Sequence, residues 1–527
     1  MPARTAKVAK RKKRHNDEQD EWRSRAPTVE LVEQSARRHF EAILRFAKRR
    51  SEGTFGEFEA ALMPLLLTLG RLLVALFLCQ WQRRLKKATP KEHERNGRRF
   101  RRAQAQSRQI ASIFGKVRFW RTYMLGEGDG GYYPLDEKLR LPSDGFGLGI
   151  TGLMVRIATK MSYAQTCNLL KSIFGWSPSL TTLERAVLGL GKFTRSWFEE
   201  APVPEGDGSV LVIMIDSKAT PTATLSELVK RRGKRRKPTE KSARHRGRTK
   251  RERRAAKRRR KKGDHSKNGR AATLVVMYTL KPATTPEGVR RLEGPINRWI
   301  YASYAPKRHA FAIARREANR RGFGPGSGKR IQIVMDGDNA FSLYAKEYFP
   351  EAILTLDAIH AIEYLWKAGR SFFREGSKLL EGWVAKQRDR FYAGNAAAII
   401  RELKAGLDAI AKTGPGNKGK RKRLESTIGY LEARIDLMNY DELIKKDLEI
   451  SSGPVEGAVR YVIGLRFDQA GMRWIVERSE ALLQLRCIEI NGQWDAFMRF
   501  VERPRGQPLE LLASQVGSLP TLGSEAA

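Results

Sequence analysis

The sequence predicts an α/β fold, a mixed sheet flanked by helices with an all-α insertion, preceded by a helical region, a small β-ribbon and a helix-turn-helix-like segment. Three observations lead there. Ser209 to Lys218 reads Ser-Val-Leu-Val-Ile-Met-Ile-Asp-Ser-Lys, an apolar run that suits a strand buried on both faces, since a half-wet strand would alternate. Ile331-Gln-Ile-Val-Met-Asp336 repeats the theme of an apolar strand ending on a carboxylate. Residues 358 to 450 then carry only helical periodicity, with Ile400, Leu403, Leu407 and Ile410 at steps of three and four.

A chain of 527 residues has room for three or four domains. Its net charge of +44 and pI near 10.5 call for a polyanionic partner, nucleic acid first and an anionic membrane surface second. The best membrane candidate, Ala61 to Trp81, is rich in Leu but interrupted by Pro64, Gly70 and Arg71, and is expected to be a buried helix pair. The basic amino terminus lacks the apolar stretch of a signal peptide. Three cysteines, Cys79, Cys167 and Cys487, have no zinc or disulfide spacing and fit a reducing cytosol.

Taken in order, residues 1–27 carry Lys10-Arg11-Lys12-Lys13-Arg14 without apolar period and are expected to be a disordered basic tail. Residues 28–110 read as helical, from Val32, Ala36, Phe40 and Ile43 onward. Within them the basic run Lys91 to Arg108 is either a solvated helix face or a phosphate contact. Residues 111–146 alternate like a strand around Val117 and Phe119, with Lys116, Arg118 and Arg121 interleaved, and suggest a β-ribbon closed through Gly126 to Gly131. Residues 147–200 offer a helix over Tyr163 to Phe174, a turn at Gly175, and a second helix entered through Ser179. That layout also occurs in ordinary helical cores, but in a DNA reader Ser179, Thr181, Thr182 and Arg185 would face the bases.

Residues 205–357 form the main strand-bearing segment. Between its first two strands, Lys230 to Lys262 hold 21 Lys or Arg against two Glu. With no apolar face to fold on, loop 230–270 is expected to be disordered until phosphate neutralises it, through residues such as Arg235, Arg236, Arg258, Arg259 and Arg260. Strands are expected at Ala272 to Leu280, Arg298 to Ser303, Ile331 to Met335 and Ile353 to Leu356, with a helix over Ala310 to Arg320. Three antiparallel strands, a helix and two further strands is the order of the RNase-H-like fold, whose first and fourth strands are neighbours; that would bring Asp216 and Asp336 together. Within the insertion, residues 358–450, Thr413 to Arg423 reads as a loop. In residues 451–503, Ser451-Ser452-Gly453-Pro454-Val455-Glu456 reads as a helix start with a Ser cap and Pro in the first turn, where Glu456 also suits the helix dipole. Residues 504–527 read as a polar tail.

Two divalent ions roughly 3.5–4 Å apart serve phosphoryl transfer by activating the attacking oxygen and stabilising the leaving one. Magnesium takes oxygen ligands, so Asp216, Asp336 and Glu456 are the candidate set.

Five segments resemble the Kra-type insertion-sequence family of bacterial DDE transposases. They are Ile113 to Leu139 with Tyr133-Pro134-Leu135-Asp136; the helix-turn-helix stretch; Ile215-Asp216-Ser217; Met335-Asp336-Gly337 through Leu356-Asp357-Ala358-Ile359-His360; and Ser452-Gly453-Pro454-Val455-Glu456-Gly457 with Gly471-Met472-Arg473-Trp474. The resemblance implies an RNase-H-like catalytic domain in which Asp216, Asp336 and Glu456 bind two magnesium ions, manganese being able to substitute. It further implies supporting roles for Asp357 and His360, a phosphate contact at Arg473, and packing or base stacking at Trp474. The activity implied is cleavage and joining of double-stranded DNA at an element's terminal inverted repeats and its target, by a homo-oligomer in the bacterial cytoplasm, nucleoid-associated and without a membrane. Many relatives carry paired cysteines in the ribbon; none lies between Met124 and Pro134 here, so no metal is expected there. The rivals are a structure-specific nuclease of the same fold and a non-catalytic DNA-binding protein derived from a transposase.

Overall fold

The computed structural model describes residues 27–49, 53–128, 130–225, 269–469 and 472–503. The tails and the basic loop with Arg235, Arg236, Arg258, Arg259 and Arg260 lie outside the described residues. The chain divides into two compact units, Met1–Ala186 and Val187–Ala527.

The first unit opens with α1 (Val29–Arg49) and α2 (Phe55–Ala88). Helix α2 starts in a capping box, Thr54 and Glu57 satisfying each other's amides, and runs unbroken through Pro64. The expected buried helix pair is therefore one 34-residue helix, of which Gly70 and Leu78 alone are fully buried. Gly70 is needed because the Phe114 ring lies where a Cβ would stand. The basic run Lys91 to Arg108 is not a helix face. It forms β1 (Glu92–Arg95), β2 (Arg98–Arg102) and the start of β3 (Gln106–Ser112), with Asn96 and Gly97 both at positive φ in the hairpin turn. Cross-strand pairing sets Glu92 opposite Arg101 and Glu94 opposite Arg99, which offsets much of the charge.

Strand β3 pairs antiparallel with β4 (Gly115–Arg121) as a separate ribbon turning at residues 113–114. The glycine-rich turn instead joins β5 (Met124–Gly126) and β6 (Gly131–Tyr132), which complete the sheet β1-β2-β5-β6. Ile110, Val117 and Phe119 pack on Leu78, with Leu135 of α3 (Pro134–Leu139), to form this unit's core. Helices α4 (Leu148–Lys160), α5 (Tyr163–Phe174) and α6 (Leu180–Gly191) follow. Ser162 and Gln165 box the start of α5, and Gly175 at φ 72° ends it. The division between the units falls inside α6.

The second unit continues with α7 (Thr194–Glu200) and a five-stranded mixed sheet. Its strands are β7 (Val210–Thr220), β8 (Arg270–Thr284), β9 (Arg290–Ser303), then, after α8 (Lys307–Arg320), β10 (Arg330–Met335), and, after α9 (Asn339–Tyr348), β11 (Ile353–Leu356). The spatial order is β11-β10-β7-β8-β9, with β7, β8 and β9 antiparallel and β10 and β11 parallel to β7 and each other. Val210 through Ile215 are buried to a residue, as a central strand requires.

The insertion comprises α10 (Ala358–Gly369), α11 (Lys378–Tyr392), α12 (Ala396–Asp408), α13 (Asn417–Glu432) and α14 (Tyr440–Lys445). Helix α13 begins inside the stretch expected as a loop, because Leu424, Thr427, Ile428 and Leu431 bury one face and the lysines before them ride in solvent on the first turns. After it come α15 (Gly453–Ala458), a π-helical stretch at Val459–Gly464, α16 (Leu465–Phe467), α17 (Val476–Ile490) and α18 (Trp494–Glu502).

Candidate metal centre

Three adjacent parallel strands end their pairing at one level, and each is followed by an aspartate. Met335 of β10 lies opposite Ile215 of β7 and opposite Leu356 of β11, so Asp216, Asp336 and Asp357 step off the same edge of the sheet. Asp216 does not end its strand, as the sequence suggested. Strand β7 continues beside β8 to Thr220, and Asp216 marks where the β10 side becomes uncovered. Its carboxylate accepts the Ser217 amide at 2.5 Å, while Asp336 accepts the Asp338 amide at 3.0 Å and so turns the chain into α9.

Glu456 arrives from α15, which packs on β7 and β8. Two buried polar links hold that segment in place. Gln332, wholly buried in β10, donates to Thr355 Oγ1 and to the Glu449 carbonyl and accepts the Glu449 amide. Asp357, also wholly buried, accepts the Ser452 amide at 3.0 Å, Ser452 Oγ at 2.6 Å, the Ile359 amide at 3.1 Å and His360 Nδ1 at 2.5 Å. Ser452 thus does not cap α15. Its hydroxyl goes to Asp357 and lies 3.5 Å from Glu456 Oε1, tying the glutamate's helix to β11.

Asp357, His360 and Glu456 each present a ligand atom within 4.8 Å of the others, close enough to hold an ion. Both Asp357 oxygens are already saturated by four donors, so its part is to orient rather than to ligate. That hydrogen bond pushes the His360 imidazole up to about 9 despite its partial burial, so at neutral pH it is a cation. Burial alone would raise the Asp357 carboxyl, but the bonds from His360 and Ser452 hold it below its ordinary value.

Burial pushes the Asp216 carboxyl up, and the Asp336 and Glu456 carboxylates add to that; the Ser217 amide and His360 oppose them. Asp216, Asp336, Glu456 and His360 therefore share one electrostatic neighbourhood, in which clustered carboxylates repel unless a cation joins them. Carboxylate oxygens are donors of the kind that magnesium and manganese take.

The loop behind Asp336 is clamped from the insertion. Arg434 donates to the Gly337 carbonyl from Nε at 3.0 Å and Nη2 at 2.5 Å, and to Asn339 Oδ1 at 2.7 Å. It also lies over the Tyr430 ring, which stacks on Tyr364 at 3.6 Å. A Cβ at Gly337 would collide with the Tyr430 hydroxyl and the Arg434 guanidinium. The sequence carried no sign of this clamp, since Arg434 belongs to a helical run almost a hundred residues away.

Thr181 and Arg185 are exposed on α6, whereas Ser179 Oγ accepts the Thr182 amide at 3.1 Å and bonds Thr182 Oγ1 at 2.8 Å, a helix cap. Arg473 is exposed. Trp474 packs within the protein: its Nε1 donates to the Phe467 carbonyl at 3.0 Å, its ring lies 5.1 Å from Phe467, and its backbone bridges Thr222.

No protein-family model and no curated protein matches the chain. Among solved structures it is similar to the Drosophila P element transposase strand transfer complex, at 11% identity and a TM-score of 0.23, over 71% of this chain and 88% of that one.

Proposed function

We propose that the protein is a DNA transposase of RNase-H-like architecture that cleaves the ends of an insertion sequence and joins them to target DNA. The observation that carries this reading is that Asp216, Asp336 and Asp357 follow one another off the edge where β7, β10 and β11 stop pairing, with the Asp336 and Glu456 carboxylates near enough to Asp216 to push its carboxyl up. The strand order β11-β10-β7-β8-β9 supports it, since it sets the first and fourth strands, β7 and β10, side by side, the neighbourhood the sequence pattern led us to expect.

Asp216, Asp336 and Glu456 would hold the divalent ions, which when bound supply activation of the attacking oxygen and neutralisation of the leaving one. Asp357 fixes His360 as an imidazolium beside the carboxylates and anchors α15 through Ser452. Arg434 sets the backbone that follows Asp336. In the first reaction water attacks the phosphorus at the element end, the P–O3′ bond breaks, and the 3′ oxygen leaves as a hydroxyl. In the second that hydroxyl attacks a target phosphodiester, whose own P–O3′ bond breaks, so bonds are exchanged without an external energy source. Thr181 and Arg185 would face the bases of the inverted repeats, and Arg473, with the basic loop, would bind the DNA backbone of repeats and target, in the cytoplasm.

The test is a strand-transfer assay with purified protein, magnesium and DNA carrying the element's ends. Asp216→Asn and Glu456→Gln are expected to abolish cleavage while sparing DNA binding. Wild-type nicking by either variant would overturn the assignment, and wild-type cleavage without joining would favour a nuclease.

A further inference from the structure

Among the described residues, one long helix rich in leucine keeps an apolar face exposed. Helix α2 has 11% of its most apolar 18-residue stretch buried. One side of it carries α1, through the Arg83–Glu30 pair, the His39–Leu65 carbonyl bond and the Phe46–Phe58 stack. A second side carries the β3–β4 ribbon, through Val74, Leu78, Trp81 and Leu85. The third side presents Met63, Leu66, Leu73 and Phe77, all exposed and at steps of three, seven and four, which keep to one face of a helix. Leu66 and Leu73 are 45% and 52% exposed, and Phe77 beside them 52%.

We infer that this face pairs with the same face of a second copy, antiparallel about a two-fold axis. Its ends are complementary: Glu59 precedes the leucines on the same side and Arg84 follows them, both exposed, so an antiparallel partner sets Glu59 of each copy against Arg84 of the other and Leu66 against Phe77. Between residues 60 and 82 the single charged residue is Arg71, which donates to Thr68 Oγ1, so the face offers nothing to a DNA backbone. Lipid cannot surround a helix that already has protein on two of its three sides. A strip about 51 Å long and about 10 Å wide, from the 1.5 Å rise and the width of a helix, is of the same order as the roughly 800 Å² per partner of a standard interface.

Sedimentation equilibrium of the full chain, freed of nucleic acid, tests this. The wild type and Asp216→Asn are expected to dimerise, which separates this result from any failure of the carboxylate assignment. Leu73→Glu is expected to be monomeric with an unchanged melting temperature. Arg84→Glu should weaken the dimer about tenfold, and Glu59→Arg added to it should restore the wild-type value, since the ends act as a pair. A monomeric wild type at tens of micromolar, a dimer that survives Leu73→Glu, or flotation with phosphatidylglycerol vesicles that Leu73→Glu abolishes would each overturn it.

Discussion

Replacing Asp357 by Asn removes one charge and leaves the shape, so it isolates what the buried carboxylate does. In the wild type its Oδ2 accepts two hydrogens, from His360 Nδ1 and Ser452 Oγ. An Asn there can present an amide nitrogen, which is a donor, and His360 must then give up its Nδ1 proton or turn away. The imidazole should fall from about 9 to near or below its ordinary 6.5. At 1.36 kcal/mol per pH unit that interval is roughly 3 kcal/mol. With 33% of the His360 side chain exposed, solvent screening reduces the expected contribution to about 1–2 kcal/mol. The signs of the two groups define a window. His360, raised on folding, stabilises fully below its unfolded value of 6.5, and that contribution is lost as pH rises through about 9. Asp357, lowered on folding, stabilises above its unfolded value of 3.8, and that contribution is lost as pH falls through its folded value. Urea unfolding should therefore show the largest gap between wild type and variant near pH 5–6, narrowing above about pH 9 as the His360 contribution is lost. Imidazole NMR titration should find the raised histidine in the wild type alone. A gap that is flat from pH 6 to 10, or a wild-type His360 titrating near 6.5, would refute the reasoning.

Other consequences follow from the same packing. Gly337→Ala should lower stability by about 1–3 kcal/mol in thermal unfolding, because its methyl group displaces Tyr430 and Arg434. Arg434→Ala should leave the fold intact and weaken manganese binding, measured by calorimetry, about tenfold, through the freed Gly337 backbone. Asp207→Ala should cost about 3–5 kcal/mol in chemical denaturation, since it strands Arg321, whose side chain is 0% exposed, without its buried counter-charge.

The sheet was legible because a doubly buried strand leaves an unbroken apolar run. Val210 to Ile215 and Ile331 to Met335 stood out for that reason, and the aspartates after them showed as breaks in the run. Glu456 was legible only through the motif around it, as a glutamate early in a helix is common. The error at Ala61 to Trp81 has a physical origin: Pro64 and Gly70 read as breaks, yet the missing amide of Pro64 costs one bond in a 34-residue helix and Gly70 answers the Phe114 ring. Lys91 to Arg108 misled because β1 and β2 are mostly exposed on both faces, so no apolar alternation marks them. Asp357 showed only as one half of an Asp-x-x-His element, whereas two of its four hydrogen bonds, those from Ser452, join segments 95 residues apart, a distance no local pattern records.

The most direct measurement is anomalous scattering from manganese in crystals of the protein bound to DNA ends. The account predicts two ions, both touched by Asp216, with Asp336 and Glu456 completing their protein ligands and Asp357 touching neither. Manganese held by Asp357 and His360, or none beside Asp216, would contradict it.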